Sequence, residues 1–266
     1  MSYSSFYRNL LDQAGGTWFD FEGLIRDIYL AVLKPGDWAL DVGAHHGTHT
    51  FQMAQAVSPN GRVIAIEAVP VLIEHITTVM KVHYVHLMSL IEIHSCGVSD
   101  SDRVVPFYFA PEVAGLSGLR RRKVLSSHKV EPFDVRLTTI DRICSHVTSG
   151  IRFIKIDIEG AEYDALRGAS ETIHRNQPLI AFEHALSTPD EFGYSVDEML
   201  AMWSELGYSV YDFFGNSYSS AQPWADSMIG DYLAFPRSFT DRHRIFEVVQ
   251  QTLRGAGVNY SIASFA

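Results

Sequence analysis

Short apolar segments rich in β-branched residues alternate with helical patterns along most of the chain, and this alternation constrains the fold more than any other feature. Two of the clearest segments are Arg62–Glu67 (RVIAIE) and Ile151–Ile158 (IRFIKIDI). Nearly continuous apolar strands that are joined by helices are typical of a parallel sheet covered on both faces. The pattern therefore predicts an α/β fold built on a doubly wound sheet.

The boundaries of the predicted elements come from turn signals and from the period of the apolar residues. The predicted helices cover residues 24–33, 48–57 (with Thr48 as N-cap), 71–83, 161–175 and 195–206. The predicted strands cover residues 38–43, 62–67, 90–96, 151–158, 178–183, 208–213 and 231–235, with added strands at 103–110 and 133–137. We expect residues 1–16 and the tail after Gly255 to be loosely held.

The composition indicates which ligands and which cellular compartment to expect. The formal net charge of −10 argues against a general nucleic-acid binder, which needs a basic surface to neutralise phosphates. The two cysteines, Cys96 and Cys144, are too few for a disulfide framework and favour a cytoplasmic location. The first residues do not resemble a signal peptide. We expect no membrane span, since no run of about 18 apolar residues occurs.

A glycine-containing loop, Asp41–Gly47 (DVGAHHG), follows the first clear strand and precedes its helix. Ligands bind at this place in doubly wound sheets, and Gly43 and Gly47 allow the backbone to approach them closely. The loop lacks the GxGxxG pattern of dinucleotide folds. Asp41 would repel a pyrophosphate but suits a cationic ligand such as S-adenosylmethionine. A simple strand-to-helix turn is the alternative interpretation.

Two further groups of acids lie at predicted strand ends. Glu67 follows the loop by some twenty residues, where a carboxylate can accept hydrogen bonds from a ribose diol, although a solvated acid would look the same. Asp157, Glu159 and Glu162 crowd the end of one strand and the start of a helix. Carboxylates this close raise each other's pKa, which indicates a functional site. Favourable acids in a first helical turn also explain Glu162. Lys155 alternates with Asp157 on one face of the strand.

These motifs together resemble the FkbM-type methyltransferase family, which uses S-adenosylmethionine. The resemblance extends over about residues 22–236 and is carried by DVGAHHGT at 41–48, IE at 66–67, LTTID at 137–141, IKIDIEGAE at 154–162 and LRGA at 166–169. It implies a class I methyltransferase with a seven-stranded Rossmann-like sheet. The last strand, 231–235, would run antiparallel beside 208–213.

The resemblance also implies which residues hold the cofactor and how the chain is divided. The cofactor residues would be Asp41, Gly43, Ala44, His45, Gly47, Thr48, Glu67, Gly97, Val98, Ser99 and Asp157. Gly97, Val98 and Ser99 would flank the adenine. One departure is His45, where the broader class usually has a glycine. The expected division is an N-terminal helical cap at 1–36, a methyltransferase domain at 37–237 with a substrate insert at about 100–137, and a C-terminal helix and tail at 238–266.

The candidate catalytic residues are Asp157, Glu159 and His184. His184 follows a predicted strand, and an imidazole with a pKa near neutrality suits deprotonation of a hydroxyl, although a structural hydrogen-bonded histidine is an equal alternative. Glu183 is the competing base. Arg120 and Arg121, within an RRRK run, are candidates for binding an acidic substrate group, or they belong to a solvated charged segment.

A metal is not favoured. His45, His46 and His49 could approach one another, but a zinc site needs three or four ligands with supporting hydrogen bonds. The carboxylates could hold Mg²⁺, which usually needs only one or two of them together with substrate oxygens.

The sequence thus favours an O-methyltransferase that acts on a hydroxyl of a small-molecule natural product, sugar or glycan. The alternatives are an NAD-dependent oxidoreductase and a catalytically inactive methyltransferase fold that serves as a binding module. The combination of Asp41, Glu67 and Asp157 argues against the inactive module, because each is expected at a ligand-facing strand end. The sequence leaves open a homodimer.

Overall fold

The computed structural model describes residues 3–16, 19–148, 150–184, 191–221, 224 and 229–260. Its strands are β1 (Trp38–Val42), β2 (Arg62–Glu67), β3 (Ile91–Ser95), β4 (Gly97–Val98), β5 (Arg103–Phe109), β6 (Glu131–Thr138), β7 (Ile151–Ile156), β8 (Leu179–Glu183), β9 (Tyr208–Tyr211), β10 (Ser217–Tyr218) and β11 (Asp231–Pro236). Its α-helices are α1 (Tyr3–Gln13), α2 (Phe21–Val32), α3 (Thr48–Val57), α4 (Pro70–His83), α5 (Ile140–Ile143), α6 (Glu162–Arg167), α7 (Ser170–Asn176), α8 (Val196–Glu205) and α9 (Arg242–Gly255).

The main sheet has the strand order β10-β9-β11-β8-β7-β1-β2-β3. The pairs among β3, β2, β1, β7 and β8 are parallel, and β11 is antiparallel to both β8 and β9. This arrangement confirms the predicted doubly wound α/β fold and its antiparallel last strand. The two-residue strand β10 extends the predicted seven strands by one at the edge.

A second sheet, ordered β4-β6-β5, combines β5 and β6 of the predicted insert with β4, which precedes it. Its apolar residues Phe107, Val135 and Leu137 pack with Val69 and Leu72, which lie at the connection between β2 and α4. Burial of these side chains removes apolar surface from water and so fixes the small sheet against the main one. The insert is thereby held beside the carboxyl ends of the parallel strands, where a ligand is expected.

Two details of the predicted helices were wrong. Gly47, not Thr48, is the N-cap of α3, and it makes no side-chain capping hydrogen bond. The single helix predicted at 161–175 is divided into α6 and α7 around Gly168. The carbonyl of Gly168 accepts the amide hydrogen of Asp141, and a Cβ on Gly168 would lie 2.0 Å from the Ser99 carbonyl oxygen. This close packing ends the first helix.

The expectation of a loosely held N-terminus was also wrong. Residues 3–13 form α1, whose side chains Tyr7 and Leu10 are buried in the main core. The Tyr7 hydroxyl donates a hydrogen bond of 2.5 Å to the buried Asp212. In the tail, Val258 is also buried, and residues 261–266 lie outside the described residues. None of the helices in the described part of the chain is both long enough and apolar enough to cross a membrane.

Candidate active site

A cavity of about 420 Å³ lies at the carboxyl ends of the parallel strands. Each of five strands supplies it with a residue at or just beyond its end: Gly43 (β1), Glu67 (β2), Cys96 (β3), Asp157 (β7) and Glu183 (β8). The insert contributes further lining residues, among them Phe107, Ser117 and Leu119. A cavity of this size and position is typical of a cofactor site in a doubly wound fold.

The glycine-containing loop is shaped by contacts between strand ends. Gly43 has a φ of 83°, and a Cβ on it would lie 1.9 Å from the Asp157 carbonyl oxygen, so only glycine fits. His45 also has a positive φ, of 50°, which explains why a glycine is usual there. Its amide donates a hydrogen bond of 2.8 Å to the Glu67 carboxylate. The loop and the end of β2 are therefore joined directly.

Glu67 occupies the position expected of a ribose-binding acid. One of its oxygens accepts the His45 amide, and the other accepts the Val69 amide at 2.8 Å. Burial raises the pKa of Glu67, and these amide hydrogen bonds oppose that shift. Each carboxylate oxygen keeps a further acceptor position, so the fixed side chain can still receive two hydroxyl groups of a ribose.

One end of the cavity is mostly apolar, and we call it the apolar end. Its side chains come from the β2–α4 connection, the first turn of α4, strand β4 and the insert: Val69, Leu72, Val98, Phe107 and Leu119. Gly97 and Val98, which the resemblance implies would flank the adenine, belong to the lining. Ser99 does not line the cavity; it is buried, and its hydroxyl accepts a hydrogen bond of 2.7 Å from Arg103.

Two other predicted cofactor residues lie behind the lining. Asp41 is fully buried and accepts a hydrogen bond of 2.5 Å from Thr50 of α3. Its second oxygen has no hydrogen-bond partner among the described residues. Gly47 is likewise absent from the lining, whereas Ala44, His45 and Thr48 belong to it. Asp41 therefore joins β1 to α3, and it does not belong to the lining, where a cofactor-binding acid was expected.

The opposite end of the cavity is crowded with carboxylates, and we call it the acidic end. It is formed by Glu22, Asp157, Glu159, Glu183 and Asp231. Glu22 and Asp231 were missed by the sequence reasoning. Asp231 opens β11 and pairs in register with Glu183 of β8, so only the strand register brings the two together. Glu22 comes from α2, where a hydrogen bond with His49 lowers its pKa to about 2.

Lys155 lines the acidic end and brings a positive charge to it. Its side chain is buried, and its Nζ donates a hydrogen bond of 2.9 Å to Asp157. Burial opposes its charge, but Asp157, Asp41 and Glu22 together raise the pKa of Lys155 above its ordinary value. The lysine therefore stays protonated and offsets part of the negative charge around it.

The carboxylate oxygens of Asp157, Glu159 and Glu183 lie within 4.8 Å of one another. Burial, and then the charge of Asp157, raises the pKa of Glu159 to about 8, although Arg122 forms an ion pair with it. The same two causes raise the pKa of Glu183 to about 10. The cluster thus holds protons near neutral pH. A carboxyl of the cluster can take a proton from a substrate only when it is ionised, and the ionised fraction grows as pH rises.

Among the described residues, this cluster is the group with spacing suited to a metal ion. Asp157 already pairs with Lys155, and Glu159 with Arg122, so two of its three carboxylates have a cationic partner. The predicted zinc alternative is not favoured, because His49 is hydrogen-bonded to Tyr29 and Glu22.

His184 is not brought to the cavity. It is 1% exposed, it does not belong to the lining, and its ring lies 4.4 Å from that of Trp224. Burial lowers its pKa to about 4, and neither ring nitrogen has a hydrogen-bond partner among the described residues. The geometry therefore favours Glu183 over His184 as the group near a substrate. Arg120 and Arg121 line a neighbouring cavity instead of this one.

The sheet with its antiparallel last strand, the glycine-containing loop and the acid at the end of β2 are the features of the class I methyltransferase fold. Residues 41–210 match the model of the Methyltransferase FkbM domain, and the chain belongs to that family. The predicted cofactor, S-adenosylmethionine, follows with the family, and the oxidoreductase alternative is not supported.

The chain is similar to a curated protein and to solved structures. Methyltransferase 1 of Beauveria bassiana is 25% identical over 159 residues, which are 53% of this chain and 62% of that protein. The crystal structure of Methyltransferase FkbM from Methylobacillus flagellatus has a TM-score of 0.47 and 18% identity, over 86% of this chain and 58% of that one. Aeropyrum pernix fibrillarin, crystallised with S-adenosylmethionine, has a TM-score of 0.43 and 12% identity, over 80% and 74% of the two chains.

Proposed function

We propose that this protein transfers a methyl group from S-adenosylmethionine to a hydroxyl of a small-molecule natural product or a sugar. The observation that carries this proposal is the carboxylate cluster of Asp157, Glu159 and Glu183 at the acidic end of the cavity. A hydroxyl must lose its proton during methyl transfer, and the carboxyl groups of this cluster lie beside the cavity and can accept it when ionised.

The residues of the cavity fit the cofactor. The apolar end suits an adenine, and Glu67 has acceptor positions for a ribose. Lys155 and the surrounding acids have charges opposite to those of the carboxylate and the amino group of a methionine moiety. When bound, the cofactor supplies an electrophilic methyl group.

The protein's own part in the reaction is to align the acceptor and to accept its proton. Methyl transfer needs an in-line approach, so positioning provides much of the rate. Glu183 is the base we favour, because it lines the cavity and neighbours Asp157 and Glu159. Lys155 holds Asp157 in place through its hydrogen bond and keeps the cluster from repelling itself.

An assay with S-adenosylmethionine labelled in its methyl group tests this function. A panel of hydroxylated sugars, phenols and primary amines is tested, and each hydroxylated compound is compared with the same compound already methylated at its hydroxyl groups. We expect label to be transferred to free hydroxyls and not to the blocked compounds. Transfer to amines alone would contradict O-methylation, and no transfer despite cofactor binding would favour a non-catalytic binding module.

A further inference from the structure

A second cavity, of about 620 Å³, adjoins the active-site cavity. Leu119 of the insert and Ala161, which precedes α6, line both cavities. Phe192 also lines the second cavity, and its ring packs against Gly160, the residue after Glu159. The second cavity therefore lies directly beside the acidic end of the active site.

Positive charge is concentrated in this second cavity, although the chain as a whole has a net charge of −10. Its charged lining consists of five cations and two acids: Arg103, Arg120, Arg121, Arg122, Lys123, Asp164 and Glu191. Arg103 pairs with Asp164 and Arg122 with Glu191, each at 3.7 Å. These two pairs account for both acids of the lining.

The remaining cations, Arg120, Arg121 and Lys123, form no ion pair with any carboxylate in the described part of the chain. The guanidinium of Arg120 lies over the ring of Phe192, 5.8 Å from its centroid, which restricts its orientation. A merely solvated run of charges would point in several directions. Here successive cations of the insert line one cavity together with Arg103 of β5.

Arg122 links this cavity to the active site. Its guanidinium forms an ion pair with Glu159 of the carboxylate cluster and approaches Glu191 on the other side. Its side chain is 15% exposed, so the charges are partly shielded from water and interact more strongly. An anionic group held by Arg120 and Arg121 would therefore lie next to the residues that face the reacting hydroxyl.

We propose that the second cavity binds an oxyanion, a phosphate or a carboxylate, belonging to the methyl acceptor. Guanidinium groups bind both oxyanions through paired, charge-assisted hydrogen bonds. The acceptor class would then be a hydroxylated compound with an acidic group, such as a sugar phosphate or a sugar acid. This inference rests on the proposed function for the reaction, but the binding of the oxyanion can be measured without turnover.

Calorimetric titration of the full chain with glucose, glucuronate and glucose 6-phosphate tests the inference. We expect at least one of the two anionic sugars to bind about tenfold or more tightly than glucose, which corresponds to about 1.4 kcal/mol. Preference for glucose 6-phosphate alone would identify phosphate as the bound group, and preference for glucuronate alone would identify carboxylate. Equal binding of all three sugars would overturn the proposal.

The double variant Arg120→Gln/Arg121→Gln should remove the preference for the anionic sugar. The matched control is Arg244→Gln/Arg254→Gln, which removes two exposed charges from α9 and should keep the preference. Retained preference in the first variant would also overturn the proposal. Binding of S-adenosylhomocysteine to the wild type is measured in parallel. Failure of the wild type to bind it would contradict the proposed function and not the oxyanion site.

Discussion

The two ends of the active-site cavity are built in different ways. The apolar end and its ribose acid come from neighbouring stretches of chain, mainly residues 66–72 and the segment that begins at Gly97. The acidic end combines α2, β8 and β11 with the loop after β7, which are far apart in sequence. Backbone amides fix Glu67, whereas ion pairs hold Asp157 and Glu159. In the proposed function, the cofactor would therefore be bound mainly at one end of the cavity and the proton accepted at the other.

Replacement of Glu183 tests the acidic end most severely. We expect Glu183→Gln to slow methyl transfer about 100-fold or more, the usual contribution of a general base, because an amide cannot accept the proton. Affinity for S-adenosylhomocysteine should remain within about twofold, since Glu67 and the apolar end are intact. Steady-state rates and calorimetry measure the two quantities. An unchanged rate at saturating acceptor would remove Glu183 as the base.

Replacement of Glu67 tests the other end. We expect Glu67→Ala to weaken S-adenosylhomocysteine binding at least tenfold, about 1.4 kcal/mol, because the substitution removes both the ribose acceptor and the anchor of the loop. Glu74→Ala, on the exposed surface of α4, is the matched control and should bind normally. Equal affinities of the two variants in calorimetry would contradict the assignment of Glu67.

The raised pKa values in the cluster predict opposite effects of pH on rate and on stability. The rate should rise from pH 6 to pH 9 as Glu159 and Glu183, with pKa values of about 8 and 10, lose their protons. A carboxyl with a raised folded-state pKa favours folding in its protonated form. The free energy of unfolding should therefore fall as pH rises from about 4.5 through this window.

Thermal melts at pH 6 and pH 9 measure the effect on stability. We expect the wild type to melt at a lower temperature at pH 9 than at pH 6, and we expect a smaller difference in Glu183→Gln. If Glu183→Gln loses as much stability as the wild type, the raised pKa of Glu183 is contradicted.

Removal of divalent cations should have the smallest effect. Asp157 and Glu159 already pair with Lys155 and Arg122, so we expect EDTA to leave the methyl-transfer rate unchanged. Addition of Mg²⁺ after EDTA serves as the control. Restoration of a lost rate by Mg²⁺ would mean that the three carboxylates bind a metal during the reaction.

The parts of the site that could be predicted from the sequence are those set by short-range geometry. Gly43 and Glu67 were found because a loop and a strand end have a fixed spacing in this fold. His184 was misplaced because successive side chains at a strand end point to opposite faces, and Glu183 takes the face of the cavity. Glu22 and Asp231 required the packing of α2 and the register of β11, neither of which a local motif contains.

The larger fold followed from hydrophobic periodicity, which is a strong signal for buried parallel strands. The division of the predicted helix at Gly168 could not be predicted from periodicity, because it depends on close contact with Ser99 from another part of the chain. The packing of α1 likewise includes a long-range contact, the hydrogen bond from Tyr7 to Asp212, which is 205 residues away. Long-range contacts of this kind decide the details that periodicity leaves open.

The most direct test of the central claim is calorimetric titration of the full chain with S-adenosylmethionine, S-adenosylhomocysteine and NAD. We predict that the first two bind and that NAD does not, because the loop and Glu67 accommodate a ribose but the loop lacks the GxGxxG backbone that receives a pyrophosphate. Binding of NAD alone, or of none of the three compounds, would contradict the assignment of this cavity as the methyl-donor site.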